Sequence, residues 1–325
     1  MSATHLPNAF SEAACAESGG RRNAPEDRGE RVSIIIPALD EGPTLPRCLQ
    51  SVIRQEFDGV MRLIVVDNGS TDDTVAIARS WIPRFEALGH KMVVLQTGRP
   101  NKCAALNMGD GAAAGDCRIY LDADTELSPN CVASVVAALC DGSGIGFCSP
   151  KMEVARGRSW VTRRYARVWT ALPWVCGDVI GGGFYAVGAA GRRRWGEFPD
   201  LLSEDSFAQA QFRRDERRVI PGARFIVRLP EGFSDLVKVR ARWITGNRQL
   251  SRMVNGEWGR AAFPLRNRLI SILARPGLWF DLPLYLFVNA CALSRVRKRQ
   301  KLGTSVWERA RPDPLDDSDQ LALHH

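Results

Sequence analysis

Four short, largely β-branched apolar runs, at residues 32–36, 63–66, 93–95 and 119–121, alternate with segments of helical periodicity, and this alternation does most to limit the fold. Runs this short and this apolar are buried on both faces, as parallel strands covered by helices are. Between the first two, Leu45, Cys48, Leu49, Val52 and Ile53 recur at helical spacing. After the second, Ser70 stands three residues before Asp73 and opens a helix with Val75, Ala78 and Trp81 on one side. Residues 104–114 read as a small-residue helix ended by Gly115. Ser128-Pro129 reads as an N-cap with proline at the first helical position, ahead of Val132, Val135, Val136 and Leu139. The pattern is βαβαβαβ, which predicts an α/β fold with a mainly parallel, doubly wound sheet.

Acids and turn residues gather where these strands stop. Pro37-Ala38-Leu39-Asp40-Glu41 follows the first run, Asp67-Asn68-Gly69-Ser70 the second and Asp122-Ala123-Asp124 the fourth. Open α/β sheets bind ligands outside the carboxyl ends of their strands, so three such ends define one crevice. Asp122 and Asp124 are spaced to fall on one side of an extended segment. Paired carboxylates in that place are hard oxygen donors for a divalent cation lying against phosphate oxygens. Asp67 ends its strand at the same edge, whereas Asp72 and Asp73 read as helix N-terminal charges. The first strand-to-helix turn has no GxGxxG and no strand leads into GxxxxGK[ST]. A dinucleotide-binding Rossmann enzyme and a P-loop NTPase are both disfavoured.

Past residue 150 the pattern changes. Residues 156–176 are rich in Trp and Arg, and Trp160, Trp169 and Trp174 read as core or interface anchors. Gly181-Gly182-Gly183 permits a tight turn or a close backbone approach. Glu204-Asp205 is a second acid pair, placed before a helix expected to run through Phe207 and Phe212. Arg240-Ala241-Arg242-Trp243 lies in a basic stretch. Residues 270–293 are apolar but interrupted by Arg275, Pro276, Asp281, Pro283 and Asn289, so the unbroken pieces fall short of the ~20 residues of a spanning helix. Arg295, Arg297, Lys298, Arg299 and Lys301 follow directly, and the pair of segments reads as an interfacial attachment to an anionic membrane face.

The net charge of +8 suits a nucleic acid, an anionic membrane or a phosphorylated substrate without choosing among them. No aromatic-basic recognition module is visible, so nucleic acid is not expected as a partner. The nine cysteines have no CxxC and no regular spacing, and several, Cys48 and Cys140 among them, fall on apolar helix faces as reduced core residues. The four histidines show no metal-ligand spacing. Residues 1–30 mix acids with Gly, Pro and Arg around no apolar segment, which predicts a disordered leader, no export signal and a catalytic body facing the cytoplasm.

Taken in order, six elements resemble the motifs of family 2 glycosyltransferases, the inverting GT-A type. They are Val32-Ser33-Ile34-Ile35-Ile36-Pro37 with Asp40-Glu41, Val65-Val66-Asp67-Asn68-Gly69-Ser70-Thr71-Asp72, Asn101-Lys102-Cys103-Ala104-Ala105-Leu106-Asn107, Asp122-Ala123-Asp124, Glu204-Asp205 and Arg242-Trp243. The resemblance runs from about residue 32 to about residue 250 and is to the branch of cellulose, chitin and hyaluronan synthases and ceramide glucosyltransferases. It implies a Rossmann-like GT-A domain at residues 31–255. A leader at 1–30, an amphipathic or hydrophobic helical extension at 256–303 and an acidic disordered tail at 304–325 complete the chain.

The resemblance also implies roles. Pro37, Ala38, Glu41 and Asp67 would line the pocket for the nucleotide base and ribose, with Asp67 accepting a hydrogen bond from a uracil-type ring. Lys102 would lie near the base and phosphates. Asp122 and Asp124 would bracket the ribose and a diphosphate-bound Mg²⁺ or Mn²⁺, Asp124 being the more direct metal ligand. Asp205 matches the general base that takes the proton of the acceptor hydroxyl, and Glu204 would orient it or the acceptor. Arg242 would meet the diphosphate and Trp243 would floor the acceptor site.

The chain departs from the family at Val239, where the (Q/R)xxRW motif has Gln or Arg, and this bears on acceptor handling. It also lacks the multiple spanning helices of a polymer channel. The expected activity is transfer of one sugar, or a few, from a nucleotide-diphospho-sugar, UDP by family habit, to a hydroxyl of a lipid-linked or glycan acceptor at the inner face of a membrane. A sugar nucleotidyltransferase is the alternative, but it calls for an arginine-bearing Gly-rich loop after the first strand, and residues 38–43 do not look like one. A non-catalytic nucleotide-sugar-binding protein is the third reading, disfavoured by the retention of both acid pairs.

Overall fold

The computed structural model describes residues 30–98, 100–253 and 265–302, so the predicted leader, apart from Glu30, and the predicted acidic tail lie outside the described residues. The first half runs β1 (Glu30–Ala38), α1 (Leu45–Ile53), β2 (Val60–Asp67), α2 (Thr74–Ser80), α3 (Ile82–Ala87), β3 (Lys91–Gln96), α4 (Lys102–Ala112) and β4 (Cys117–Leu121). Next come β5 (Glu126–Leu127), α5 (Cys131–Cys140), β6 (Phe147–Val154), α6 (Trp160–Thr170), α7 (Pro173–Cys176), β7 (Phe184–Gly188) and α8 (Ala189–Arg192). The remainder is α9 (Glu204–Ala210), β8 (Arg217–Val227), α10 (Gly232–Met253), α11 (Leu265–Leu273) and α12 (Leu282–Leu302).

Among the described residues eight strands form one sheet, in the order β3-β2-β1-β4-β7-β6-β8-β5. β1 pairs in parallel with β2 and β4, and β2 with β3, which makes the doubly wound half. β7 is antiparallel to β4 and β6, β8 is parallel to β6, and β5 is antiparallel to β8. The sheet is therefore mainly parallel, with β7 and β5 reversed. Alternate residues of the central strands feed opposite faces: Ile34, Ile36, Leu63 and Val65 enter one core, and Ile35, Ile64 and Val66 the other. A third core joins α6, α10 and α12 through Tyr165, Val168, Leu236, Ala241, Val288 and Ala292.

Several element boundaries differ from expectation. α2 starts after Asp73, and Ser70 serves instead as acceptor for the Asp40 N–H. α5 is capped at Asn130, not Ser128; Ser128 and Pro129 form the turn before it, where the Ser128 N–H reaches the Arg224 carbonyl of β8. α4 begins at Lys102, with Asn101 Oδ1 accepting the Ala104 N–H at 3.0 Å. Phe212 falls beyond the end of α9. Cys48 is buried as expected, but Cys140, the last residue of α5, is exposed. Residues 270–293 are divided among α11, a 3₁₀ turn at Pro276–Leu278 and α12, and no described helix is long and apolar enough to cross a membrane.

Candidate active site

The carboxyl ends of β1, β2 and β4 open into one cleft of about 1580 Å³, whose other wall comes from α6, α10 and α12. On the sheet side Pro37, Ala38 and Glu41 line it. The loops there are stitched together by side chains. Asp40 N–H donates to Ser70 Oγ (2.8 Å), Thr71 N–H to Asp40 Oδ1 (2.7 Å), Glu41 N–H to Thr74 Oγ1 (2.8 Å) and Gly42 N–H to Asp72 Oδ2 (3.0 Å). Asp40 has a φ of 47°, a left-handed conformation that Asp tolerates better than most residues. Asn68 ties in the third loop: its N–H donates to the Ala38 carbonyl (2.7 Å) and its Oδ1 accepts the Asn101 N–H (2.7 Å). Asp67 lies behind this wall rather than on it. It is 2% exposed, its Oδ1 accepts the Ser70 N–H (3.2 Å), and the lining residue is its neighbour Asn68.

The two acid pairs meet in the middle of the cleft. Asp122 and Asp124 line it at the end of β4, and Glu204 and Asp205 line it from the first turn of α9. Lys102, at the start of α4, joins them: its Nζ is 2.7 Å from Asp122 Oδ1 and 2.5 Å from Glu204 Oε1. Burial disfavours the ammonium, but the Asp122 and Glu204 carboxylates outweigh it and hold Lys102 charged, well above its usual range. Burial, and then the charge of Glu204, push Asp205 up to about 7, with Lys102 opposing the rise. A carboxylate that titrates near neutral pH is suited to proton transfer there.

The glycine run sets the spacing of these acids. Gly181 has φ +69°, and a Cβ on it would lie 2.6 Å from the Asp205 Cβ. Gly183, with φ +104°, offers the carbonyl that accepts the Asp122 N–H at 2.9 Å. Close approach and turn geometry are thus both used, one glycine for each acid pair. Among the described residues no group of three or more His, Cys, Asp or Glu side chains could hold a metal ion. Two strand-end carboxylates fit a Mg²⁺ or Mn²⁺ completed by substrate phosphates and water, and do not fit a structural ion.

The opposite wall is helical. Arg242 and Trp243 line it from α10, and the Trp243 ring stacks on Trp169 of α6 with centroids 5.5 Å apart. The Arg240 guanidinium lies 5.7 Å from the Trp243 ring, and its Nε donates to Asn289 Oδ1 of α12 at 2.7 Å. Val239, largely buried, is also a lining residue. Trp169 and Trp174, which the sequence presents as packing residues, line the cleft too, while Trp160 is exposed and does not. Nothing in a helical spacing distinguishes a tryptophan that only packs from one that packs and forms a wall. Arg47 and Arg228 also reach the cleft, both paired with Glu126 at 3.9 and 2.5 Å, and no motif announces them.

The model of the family described as Glycosyl transferase family 2 matches residues 33–196, just over half of the chain. The chain belongs to glycosyl transferase family 2. A second model, Glycosyl transferase family group 2, matches residues 119–295 and so takes in α10 and part of α12. Among family relatives, a PGL/p-HBAD biosynthesis glycosyltransferase of Mycobacterium tuberculosis is 38% identical over 95 residues, covering 29% of this chain and 36% of that one. An N-acetylglucosaminyltransferase of Bradyrhizobium diazoefficiens is 32% identical over 138 residues, covering 41% and 27%. The matches thus span about a third of the length of these curated relatives. The fold is that of a mannosyltransferase from Pyrobaculum calidifontis, solved in complex with GDP-Man and Mn²⁺, with a TM-score of 0.56 at 21% identity over 87% of this chain and 82% of that one.

Proposed function

We propose that this protein is a metal-dependent inverting transferase that moves a sugar from a nucleotide-diphospho-sugar, UDP being the favoured nucleotide, to a hydroxyl of a lipid or glycan at a membrane periphery. One observation carries the reading: Lys102 ties the strand-end acid Asp122 to Glu204, the neighbour of Asp205, across a single cleft. Leaving-group chemistry and attacking-group chemistry need such a shared space.

In this reading Pro37, Ala38 and Glu41 hold the base and ribose, and Asp67 builds the turn from which Asn68 faces them. Asp122 and Asp124 would hold Mg²⁺ or Mn²⁺, Asp124 more directly, and such an ion would supply positive charge against the departing diphosphate. Lys102 and Arg242 add positive charge beside that diphosphate. Asp205 takes the proton of the acceptor hydroxyl as its oxygen bonds to the anomeric carbon. The bond from that carbon to the diphosphate breaks, its electron pair staying on the phosphate oxygen, and attack from the opposite face inverts the configuration. Glu204 acts through its neighbours, by holding Lys102 and by raising Asp205. Trp243 floors the acceptor site.

The test is release of nucleoside diphosphate from a panel of sugar nucleotides with Mn²⁺ or Mg²⁺. Release should stop on chelation and fall roughly 100-fold or more in Asp124→Ala and in Asp205→Asn. Metal-dependent donor binding with no release to any acceptor, water included, would sink the proposal.

A further inference from the structure

The cleft is larger than a donor needs. Its volume of about 1580 Å³ exceeds the ~300–1,000 Å³ of ordinary small-molecule pockets, and its lining continues past Asp205 to Leu286, Ala290 and Leu293 of α12. α12 has three faces. Tyr285, Val288, Ala292 and Val296 recur at helical spacing and are buried with α6 and α10. Leu286, Asn289, Ala290 and Leu293 are centred about a quarter-turn round and line the cleft, so that this wall is apolar except at Asn289. Phe287 lies opposite the buried stripe with one face on the Phe233 ring of α10, centroids 5.4 Å apart, and is still 59% exposed, and Phe280, just before the helix, is 84% exposed. Leu286 both lines the cleft and is 56% exposed, so the cleft opens beside this ridge.

The ridge is held out by a buried clamp. Asp281 is fully buried and accepts Arg164 Nη1 on Oδ1 at 2.7 Å, with Arg167 Nη1 3.0 Å from Oδ2. Arg167 Nη2 also donates to the Gly277 carbonyl at 3.0 Å. Two arginines of α6 thereby fix the turn that presents Trp279 and Phe280 to solvent. Exposed large apolar side chains concentrate here: of the ten among the described residues, Ile270, Leu273, Trp279, Phe280, Leu286 and Phe287 fall within one short stretch. Charge surrounds them. Arg164 and Arg167 stand at one end, and exposed Lys298 and Lys301 follow Phe287 on the same side of α12.

We infer that this ridge seats in an anionic lipid surface and that the acceptor is an amphiphile, its hydroxyl-bearing head at Asp205 and its apolar tail leaving over Leu293 and Leu286 into that surface. The assignment of the head rests on the transferase reading; the ridge does not. A second copy of the chain is the wrong occupant, because apposing two ridges would bring like charges together, whereas anionic headgroups neutralise them.

Two measurements test this. Alkyl β-glucosides from ethyl to octyl, kept below their micelle concentrations, serve as acceptors with donor and Mn²⁺. KM should fall by up to about four-fold per added methylene along part of the series, and Leu286→Ser and Leu293→Ser should each flatten that dependence. In sedimentation with phosphatidylcholine vesicles, binding should require added phosphatidylglycerol. It should drop at least about ten-fold in the double variant Phe280→Ser/Phe287→Ser, whose donor turnover stays at the wild-type level. A wild-type KM indifferent to chain length, vesicle binding unchanged in the double variant, or a ridge-dependent dimer in light scattering without vesicle binding would each overturn the inference. If no donor is bound or turned over, the transferase reading fails instead, and the vesicle measurement still decides the ridge.

Discussion

On the proposed donor side of the cleft the loops after β1 and β2 are fixed by side chain–backbone hydrogen bonds, four of them between residues 40–42 and 70–74, whereas on the proposed acceptor side α6, α10 and α12 meet mainly through apolar packing. The first construction fixes the direction of its polar groups, which suits a ligand with a fixed pattern of donors and acceptors. The second offers a surface with little directional demand and tolerates variety in what lies on it. Lys102 and Asp205 stand on the seam between them. Substitutions that act on one half alone therefore test whether the division is real.

The largest effect is expected at Asp205. Asparagine preserves the size of the side chain and can still accept the Ser206 N–H, which lies 2.7 Å from Asp205 Oδ1, but it cannot take a proton. For Asp205→Asn, kcat should fall by about 10²–10⁴-fold while the donor Kd, measured by calorimetry, stays within error of wild type. A parallel loss of donor affinity would show that the seam does not separate the two halves.

Gly181→Ala comes next. The new methyl would intrude on Asp205 at 2.6 Å, and the residue would have to keep φ at +69°. Strain of about 1–3 kcal/mol and a displaced base should together lower kcat by roughly 10²-fold, because small misplacements of a reacting group are expensive. Thermal denaturation should show Tm reduced by a few degrees, on the order of 2–4 °C per kcal/mol. A fall in Tm without a fall in kcat would mean that the glycine serves the fold and not the position of Asp205.

Lys102→Met should alter the pH profile more than the maximal rate. As the proposed general base Asp205 would work ionised, so kcat/KM should rise with pH through about 7 and level off above it. The positive charge of Lys102 favours that ionised form, and its removal moves the rise to higher pH. The variant should therefore lose more activity below neutrality than above it. A profile that keeps its midpoint while dropping uniformly would assign Lys102 to the donor half alone.

The same division explains what could be read from the sequence. Buried parallel strands are continuous apolar runs, so their ends, and with them Pro37, Asp67 and Asp122, can be located without coordinates. That Asn68 and not Asp67 faces the cleft is seen only in the folded chain, where Asp67 is buried and its Oδ1 accepts the Ser70 N–H. Lys102 is visible as a motif lysine, but its bridge to Glu204 joins segments about a hundred residues apart and exists only in the folded chain. The helical half is harder still. Trp169 meets the 3.6-residue rule for burial and also lines the cleft, so periodicity reports the first role and conceals the second. Asp281 reads as an interruption in an apolar stretch, and only its pairing with Arg164 and Arg167 reveals a clamp.

The smallest effect is expected at Val239, where the chain departs from its family's pattern. The side chain is 5% exposed and its remaining surface lines the acceptor wall of the cleft. In Val239→Gln the amide must either shed its water or turn into the cleft, costing about 1–3 kcal/mol of stability in the first case. In the second it places a polar group where a tail would lie. The ratio of kcat/KM for octyl over ethyl glucoside should then fall by roughly 4-fold, the equivalent of about one buried methylene, with donor KM unchanged. If the substitution weakens the donor instead, Val239 belongs to the other half of the cleft, and the apolar wall is not what selects the acceptor.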